Sequence, residues 1–341
     1  MNTDSSPQIL RNPFEPDIYW LRSIDLWLRR TLRMESGSNI FPLMHVVAYY
    51  IFFVSAIIPG FIESTLLLCL IWGVVVGLNY SLSIGILHIH AHRRLFESPS
   101  LNRILEFLLC FPCGLSYPMM RYIHVHMHHT YDNGPGDLTS TQGFDRGWRA
   151  IYYWVRYAVV CQRATVKGLF AQDAAPVWRK LRKQYLVDTL GTISIVVILF
   201  VGVDMARIAL FWHLPLLIVF INIGFFAWLT HAPALEGKIN GSLNTTNPLV
   251  NLLMHNQGYH VVHHMHPGIH WTQIPNNLDV MIKVDDRLIV PYWVLLPSSW
   301  RIAVPRTLHD PQYGAAWKKR YSRKRKLNDL RAPFIPYFGW I

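Results

Sequence analysis

Residues 64–87 read STLLLCLIWGVVVGLNYSLSIGIL, and residues 88–92 continue as HIHAH. An uncharged run of this length exceeds the roughly 20 residues that a helix needs to cross the hydrocarbon core. Three histidines stand where the apolar run stops. Working outward, three further runs can span. Ile40–Pro59 carries no Asp, Glu, Lys or Arg, Leu186–Val203 carries only Asp188, and Arg207–Thr230 carries only Arg207 at its edge. The short turns Gly60–Glu63 and Gly202–Ala206 pair the four runs into two hairpins. The N-terminus, residues 88–185 and residues 231–341 then share one side. Every lysine and arginine except Arg207 lies on that side. By the positive-inside rule it is cytoplasmic, and the expected location is a bacterial inner membrane.

The expected fold is therefore an all-α integral membrane protein. Four transmembrane helices carry a cytoplasmic helical cap that holds a histidine-rich di-metal site. The chain divides into an N-terminal segment with an amphipathic helix (1–39), a membrane domain (40–275) and a C-terminal region with a basic tail (276–341). A fifth apolar stretch, Ile104–Met120, contains Glu106, Pro112, Gly114 and Pro118 and reads as a broken segment, tolerated at depth only where protein covers it. Tyr152–Val160 reads as an interfacial helix. The run KKRYSRKRK at 318–326 reads as a solvated face or a contact with anionic lipid. Of the 341 residues, 52% are hydrophobic and 15% charged. An average soluble domain carries about 25% charge, so a disordered chain is excluded and an ordinary soluble globule is not expected. The net charge of +12 comes with no base-reading motif, so no nucleic-acid partner is expected.

Most of the 17 histidines fall in three boxes. In the first, His88 and His92 are four apart and share a helix face, a spacing that suits two ligands of one metal; His90 points away. In the second, HVHMHH at 124–129, His124 and His128 share a face with His129 beside it, and His126 lies on the far side. The third is HNQGYHVVHHMHP at 255–267, where His260, His263 and His264 line one face of a turn. His231, in WLTHAP, stands at the end of the fourth span, at the depth expected of His88. Nine imidazoles exceed the ligand set of one metal and imply two. Imidazole suits iron, zinc, copper and nickel. Carboxylates are too scarce for the glutamate-rich di-iron site of a helix bundle, and thiolates are missing from the boxes, which argues against structural zinc. Arg121 and the run Asp132–Asp137 flank box two and can orient its ligands. Cys110 and Cys113 have the spacing of a redox motif but lie within the broken apolar segment.

HxxxH at 88–92, HxxxHH at 124–129 and HxxHH at 260–264, interleaved with paired spans, resemble the membrane fatty acid desaturase and hydroxylase superfamily over roughly residues 40–275. Trp271 and Ile274-Pro275 after box three add to the likeness. The resemblance implies two iron ions held by His88, His92, His124, His128, His129, His231, His260, His263 and His264, with a weak or water-mediated contact at Asn256, and dioxygen as co-substrate. It makes the eight box histidines catalytic. It implies oxidation of an aliphatic lipid chain, a fatty acid or acyl group, by desaturation, hydroxylation or decarboxylation to a terminal alkene. A carotenoid ketolase or hydroxylase is the alternative within the superfamily. The chain departs from the common pattern at Ile89 and Val262, where carboxylates are frequent. The substrate is expected to enter from the bilayer. The chain has no G-x-G-x-x-G fingerprint, and His266-Pro267-Gly268 resembles part of a haem-binding motif without a cytochrome-like surround. A separate ferredoxin or small cytochrome, with its reductase, is therefore the expected electron donor. Two readings of other classes stand against this one. A metal transporter would need ionisable groups inside the spans, whereas these histidines lie at span ends. A non-catalytic protein would have lost the cage or filled it with zinc.

Overall fold

The computed structural model describes residues 19–134, 136–141, 144, 147–231, 242–283 and 289–290. The basic run at 318–326 and most of the expected C-terminal region lie outside the described residues. Among the described residues, four helices are long and apolar enough to cross a membrane: Gly37–Ile57, Thr65–His92, Pro176–Gly202 and Met205–His231. Each coincides with one of the runs read from the sequence, and the third starts about ten residues earlier than its apolar part. Side-chain caps start three of them, the first through Ser36 Oγ, which accepts from the Ser38 N–H at 3.3 Å. Ser64 Oγ accepts from the Leu67 N–H, and Asp204 Oδ1 accepts from the Ala206 N–H, so each takes up a backbone donor that has no partner within the helix. Ile51, Leu66, Leu70, Ile198 and Val201 point outward, as a lipid-facing surface requires.

The first and second spans pack together, and the fourth packs on the second. The stretch read as an interfacial helix is the middle of a longer one, Gly147–Phe170, which lies along the fourth span. The third span is the outermost, with only 11% of its apolar window buried. It is tied to the helix Pro99–Cys113 by the ion pair of Asp188 and Arg103, which neutralises a carboxylate that apolar surroundings would otherwise penalise.

Pro99–Cys113 is the first half of the broken segment. It ends at Gly114, whose φ of +58° needs a residue without Cβ strain. A second start follows at Tyr117, capped by the Ser116 hydroxyl. The N-terminal amphipathic helix is Tyr19–Leu32; Asp25 Oδ1 accepts from the Gly37 N–H at 2.7 Å and anchors it to the first span. The all-helical expectation needs one addition, a parallel pair of two-residue strands, Asn244–Thr245 and Ile289–Val290.

Two of the three π-helical stretches among the described residues fall at informative places. Ser81–Ile86 in the second span and Arg121–His128 in box two are π-helical, a geometry frequent at functional sites. Gly85 sits in the first of these. A Cβ there would come within 2.8 Å of His255 Nδ1 and 2.9 Å of the Leu253 carbonyl oxygen. The glycine thus lets the segment before box three lie against the second span, where Ser81 Oγ donates to that same carbonyl at 2.7 Å.

Candidate metal centre

Box one is the last turn of the second span. Box two follows the broken segment, box three is the short helix His260–Met265, and His231 ends the fourth span. Three polar contacts bring these pieces to one place. Arg121 donates to the Ala91 carbonyl at 2.7 Å and joins box two to the end of box one. Asn244 Oδ1 accepts from the Val261 N–H at 2.8 Å at the start of box three. Asn133 Nδ2 donates to the His231 carbonyl at 3.3 Å.

The result is two convergent sets. His88, His92, His124, His129 and His263 each offer a ring nitrogen, all within 4.8 Å of one another; His128, His231, His260 and His264 do the same. All nine histidines expected from the sequence are brought together. The adjacent pairs are divided between the sets: His128 and His129 belong to different ones, as do His263 and His264. His124 and His128, which share a face by spacing, are also divided. The sets adjoin, with the rings of His129 and His264 stacked at 4.5 Å between centroids.

The nitrogens face each other closely. His88 Nε2 and His129 Nε2 each lie 3.0 Å from His263 Nε2, and His129 Nε2 lies 3.1 Å from His124 Nε2. In the other set, His260 Nε2 is 2.9 Å from His231 Nε2 and 3.1 Å from His264 Nε2. Two nitrogens bound at about 2.1 Å to one ion, at right angles, lie about 3.0 Å apart. His92 Nε2 is buried and meets no hydrogen-bond partner among the described residues. Unpartnered and converging lone pairs of this kind fit a cation between them.

Electrostatics agree with the geometry. Burial, and then the neighbouring imidazoles, hold His124, His129, His260, His263 and His264 below the usual histidine range. The rings are thus neutral, which is the metal-binding form. Burial works to raise Asp137, but hydrogen bonds from His128 and Thr139 outweigh it and hold this carboxylate below its ordinary value. Asp137 Oδ2 accepts from His128 Nδ1–H at 2.8 Å, which leaves His128 Nε2 as the free lone pair.

Other histidines are placed elsewhere. His90 Nδ1 accepts from the Leu95 N–H, and its Nε2 meets Glu106 Oε1, both at 3.3 Å. His126 is exposed beside Tyr122 and Trp178. His255 is buried against His45 and Trp271. Asn256 is buried beside box three, and its Nδ2 donates to the Trp271 carbonyl at 3.0 Å. Cys110 and Cys113 are buried free thiols, also outside both sets. Thr139 and Asn244 were not singled out from the sequence, and Asn133 was noted there only as part of the run Asp132–Asp137. Nothing in their local pattern marks them, because their roles depend on residues distant along the chain.

An apolar cavity, about 870 Å³ including its mouth, ends on this centre. Leu115, Met119, Ile123, Phe220, Phe226 and Ala227 form its walls, and His88, His124, His128, His231 and His260, drawn from both sets, face it. No lysine, arginine or carboxylate is among its lining residues. Such a lining suits an apolar ligand.

Residues 64–296 match the family model described as Fatty acid desaturase. No curated protein matches the chain.

Proposed function

The matched residues make up more than half of the chain, which therefore belongs to the fatty acid desaturase family; from that premise we propose that it is a dioxygen-dependent di-iron oxidoreductase acting on the aliphatic chain of a fatty acid or fatty acyl group. Family membership makes it a lipid-modifying oxidoreductase, and its four apolar helices make it an integral membrane protein. The observation that carries the finer reading is the pair of histidine sets at the end of an apolar cavity.

His88, His92, His124, His129 and His263 would hold one iron, and His128, His231, His260 and His264 the other. The eight histidines of the three boxes are the proposed catalytic residues. Two irons would supply the dioxygen chemistry that removes hydrogen from an unactivated C–H bond. The chain's own residues do the rest. The cavity walls bind the substrate by apolar contact, exclude water, and set which carbon lies against the histidines. The neutral rings keep their lone pairs for metal rather than protons. In the desaturation case, two hydrogens leave the chain as an alkene forms; dioxygen, two electrons and two protons complete the balance as two waters. The same centre with different substrate placement accounts for a hydroxyl or a terminal alkene. The electrons would come from a separate ferredoxin or small cytochrome with its reductase, on the cytoplasmic side that carries nearly all of the lysines and arginines.

The test compares lipids, volatiles and pigments by mass spectrometry from cells expressing the wild type and His264→Ala, with iron counted on both purified proteins. Two irons per chain, with a product lacking two hydrogens or bearing a new hydroxyl or terminal alkene only in wild-type cells, is the expected result. A wild type that binds zinc, or no metal, would overturn the proposal.

A further inference from the structure

The two histidine sets are backed differently. The loop that follows box two wraps the set of four. Asp137 is buried and spends both oxygens there: Oδ2 accepts from His128 Nδ1–H at 2.8 Å and from the Asn133 N–H at 3.0 Å. Its Oδ1 accepts from the Thr139 N–H at 2.8 Å and the Thr139 hydroxyl at 2.6 Å. Asp132 Oδ1 lies 3.6 Å from His264 Nδ1, a longer and more exposed approach. Asn133 grips the His231 backbone and, through Oδ1, accepts from the Thr141 N–H at 2.7 Å. Asp132 and Asn133 adopt φ of +42° and +62° to make this turn. Asparagine and aspartate tolerate the left-handed region better than most residues, and surrounding structure must over-determine it. Among the described residues, the set of five has no such support. His88 Nδ1 donates to the Ile84 carbonyl at 3.2 Å, and among the described residues no carboxylate reaches any of its five rings.

We propose that Asp137 is a positioning residue that makes the two metal sites unequal, giving the set of four an anionic backing that the set of five lacks, with Asp132 as a weaker second contributor. The inference rests on the two-metal reading above. A carboxylate behind a ligating imidazole fixes its tautomer and raises its basicity. A buried negative charge near a metal favours the higher oxidation state, since the attraction grows with the metal's charge. The charge therefore tightens metal binding by the set of four and lowers the reduction potential of that site. Asp137→Asn removes the charge while an amide oxygen can still accept from His128. The amide NH2 then faces donors on Thr139 or Asn133, so some local strain accompanies the change.

The experiment uses the full chain in detergent, loaded with isotopically enriched ferrous iron and examined by Mössbauer spectroscopy, with each site's reduction potential and iron affinity measured by titration. His264→Ala and His263→Ala assign the signals, each removing the signal of one set. Asp137→Asn should shift only the signal that His264→Ala removes. It should also raise that site's potential and weaken its iron affinity by about 10–100-fold, leaving the other site unchanged. Asp132→Asn, at a half-exposed position, should move the same signal less, and it keeps the test open if Asp137→Asn fails to fold. Signals that stay put in both variants, or that move equally for both sites, would overturn this inference while leaving the two-iron reading intact. A wild type without two irons would overturn both.

Discussion

Two regions of this protein hold buried histidines, and only one of them has the geometry of a metal centre. In the centre, nine rings turn nitrogens toward one another, within 4.8 Å in each set, and seven of them have a neighbour at about 3 Å. In the flanking region, His90 and His270 are equally buried, yet each faces an ordinary partner. His90 sits between the Leu95 N–H and Glu106. His270 Nε2 donates to Asn39 Oδ1 at 2.8 Å, and its Nδ1 lies 2.8 Å from the Thr272 hydroxyl. Burial pushes His270 down to about 3, much as burial lowers the histidines of the centre. Burial and a depressed pKa therefore do not mark the site. Convergence of nitrogens from several rings on one another does, because one shared cation would satisfy them together.

Substitutions can break or sharpen that contrast. The largest effect is expected for His264→Ala, His260→Ala or His128→Ala, with turnover lost and iron falling from two per chain toward one while the protein still inserts. Full activity in any of them would erase the distinction between the regions. Acid comes next. The folded centre refuses protons that the unfolded chain accepts near pH 6.5. The stabilisation is thus complete above about 6.5 and is lost as pH falls. Iron release and the thermal midpoint of the metal-free protein, followed from pH 7.5 to 5, should both report this, and a flat profile would contradict it.

His90→Ala tests the other region. It leaves the Leu95 N–H without its acceptor and takes one partner from Glu106, at a cost of about 1–3 kcal/mol of stability. Iron should stay at two per chain; loss of one iron would move His90 into the centre. His270→Ala should cost about 1 kcal/mol, because Asn39 Oδ1 keeps the Trp271 Nε1–H at 3.2 Å, again with two irons retained. His126→Ala, at the surface, should change thermal stability by less than about 0.5 kcal/mol and leave product formation unaltered.

Much of this organisation is legible in the chain. Span existence follows from long uncharged runs, since the bilayer imposes a length that few soluble elements imitate. The broken segment was visible in Pro112, Gly114 and Pro118, which interrupt a helix by rules local to the backbone. That His90 points away from the inner face of box one follows from α-helical spacing. Other features were less visible. The third span begins at Pro176 because the polar residues before Leu186 continue the same helix, which hydropathy by itself does not register. Box two is a π-turn, so the angular step assumed for an α-helix does not apply there.

The sequence by itself determined that this is a four-span membrane protein with nine histidines poised at one side, because apolar length and residue type are local properties. Only the tertiary structure decided how the nine divide. His128 parts from His129, and His263 from His264, because neighbours on a short helix point in different directions and meet rings brought from other elements. Likewise the partner of His128 is Asp137 rather than Asp132, since a loop with two left-handed residues folds the more distant carboxylate back beneath the ring. Spacing in a chain fixes which residues can share a face; packing of separate segments fixes which of them share an ion.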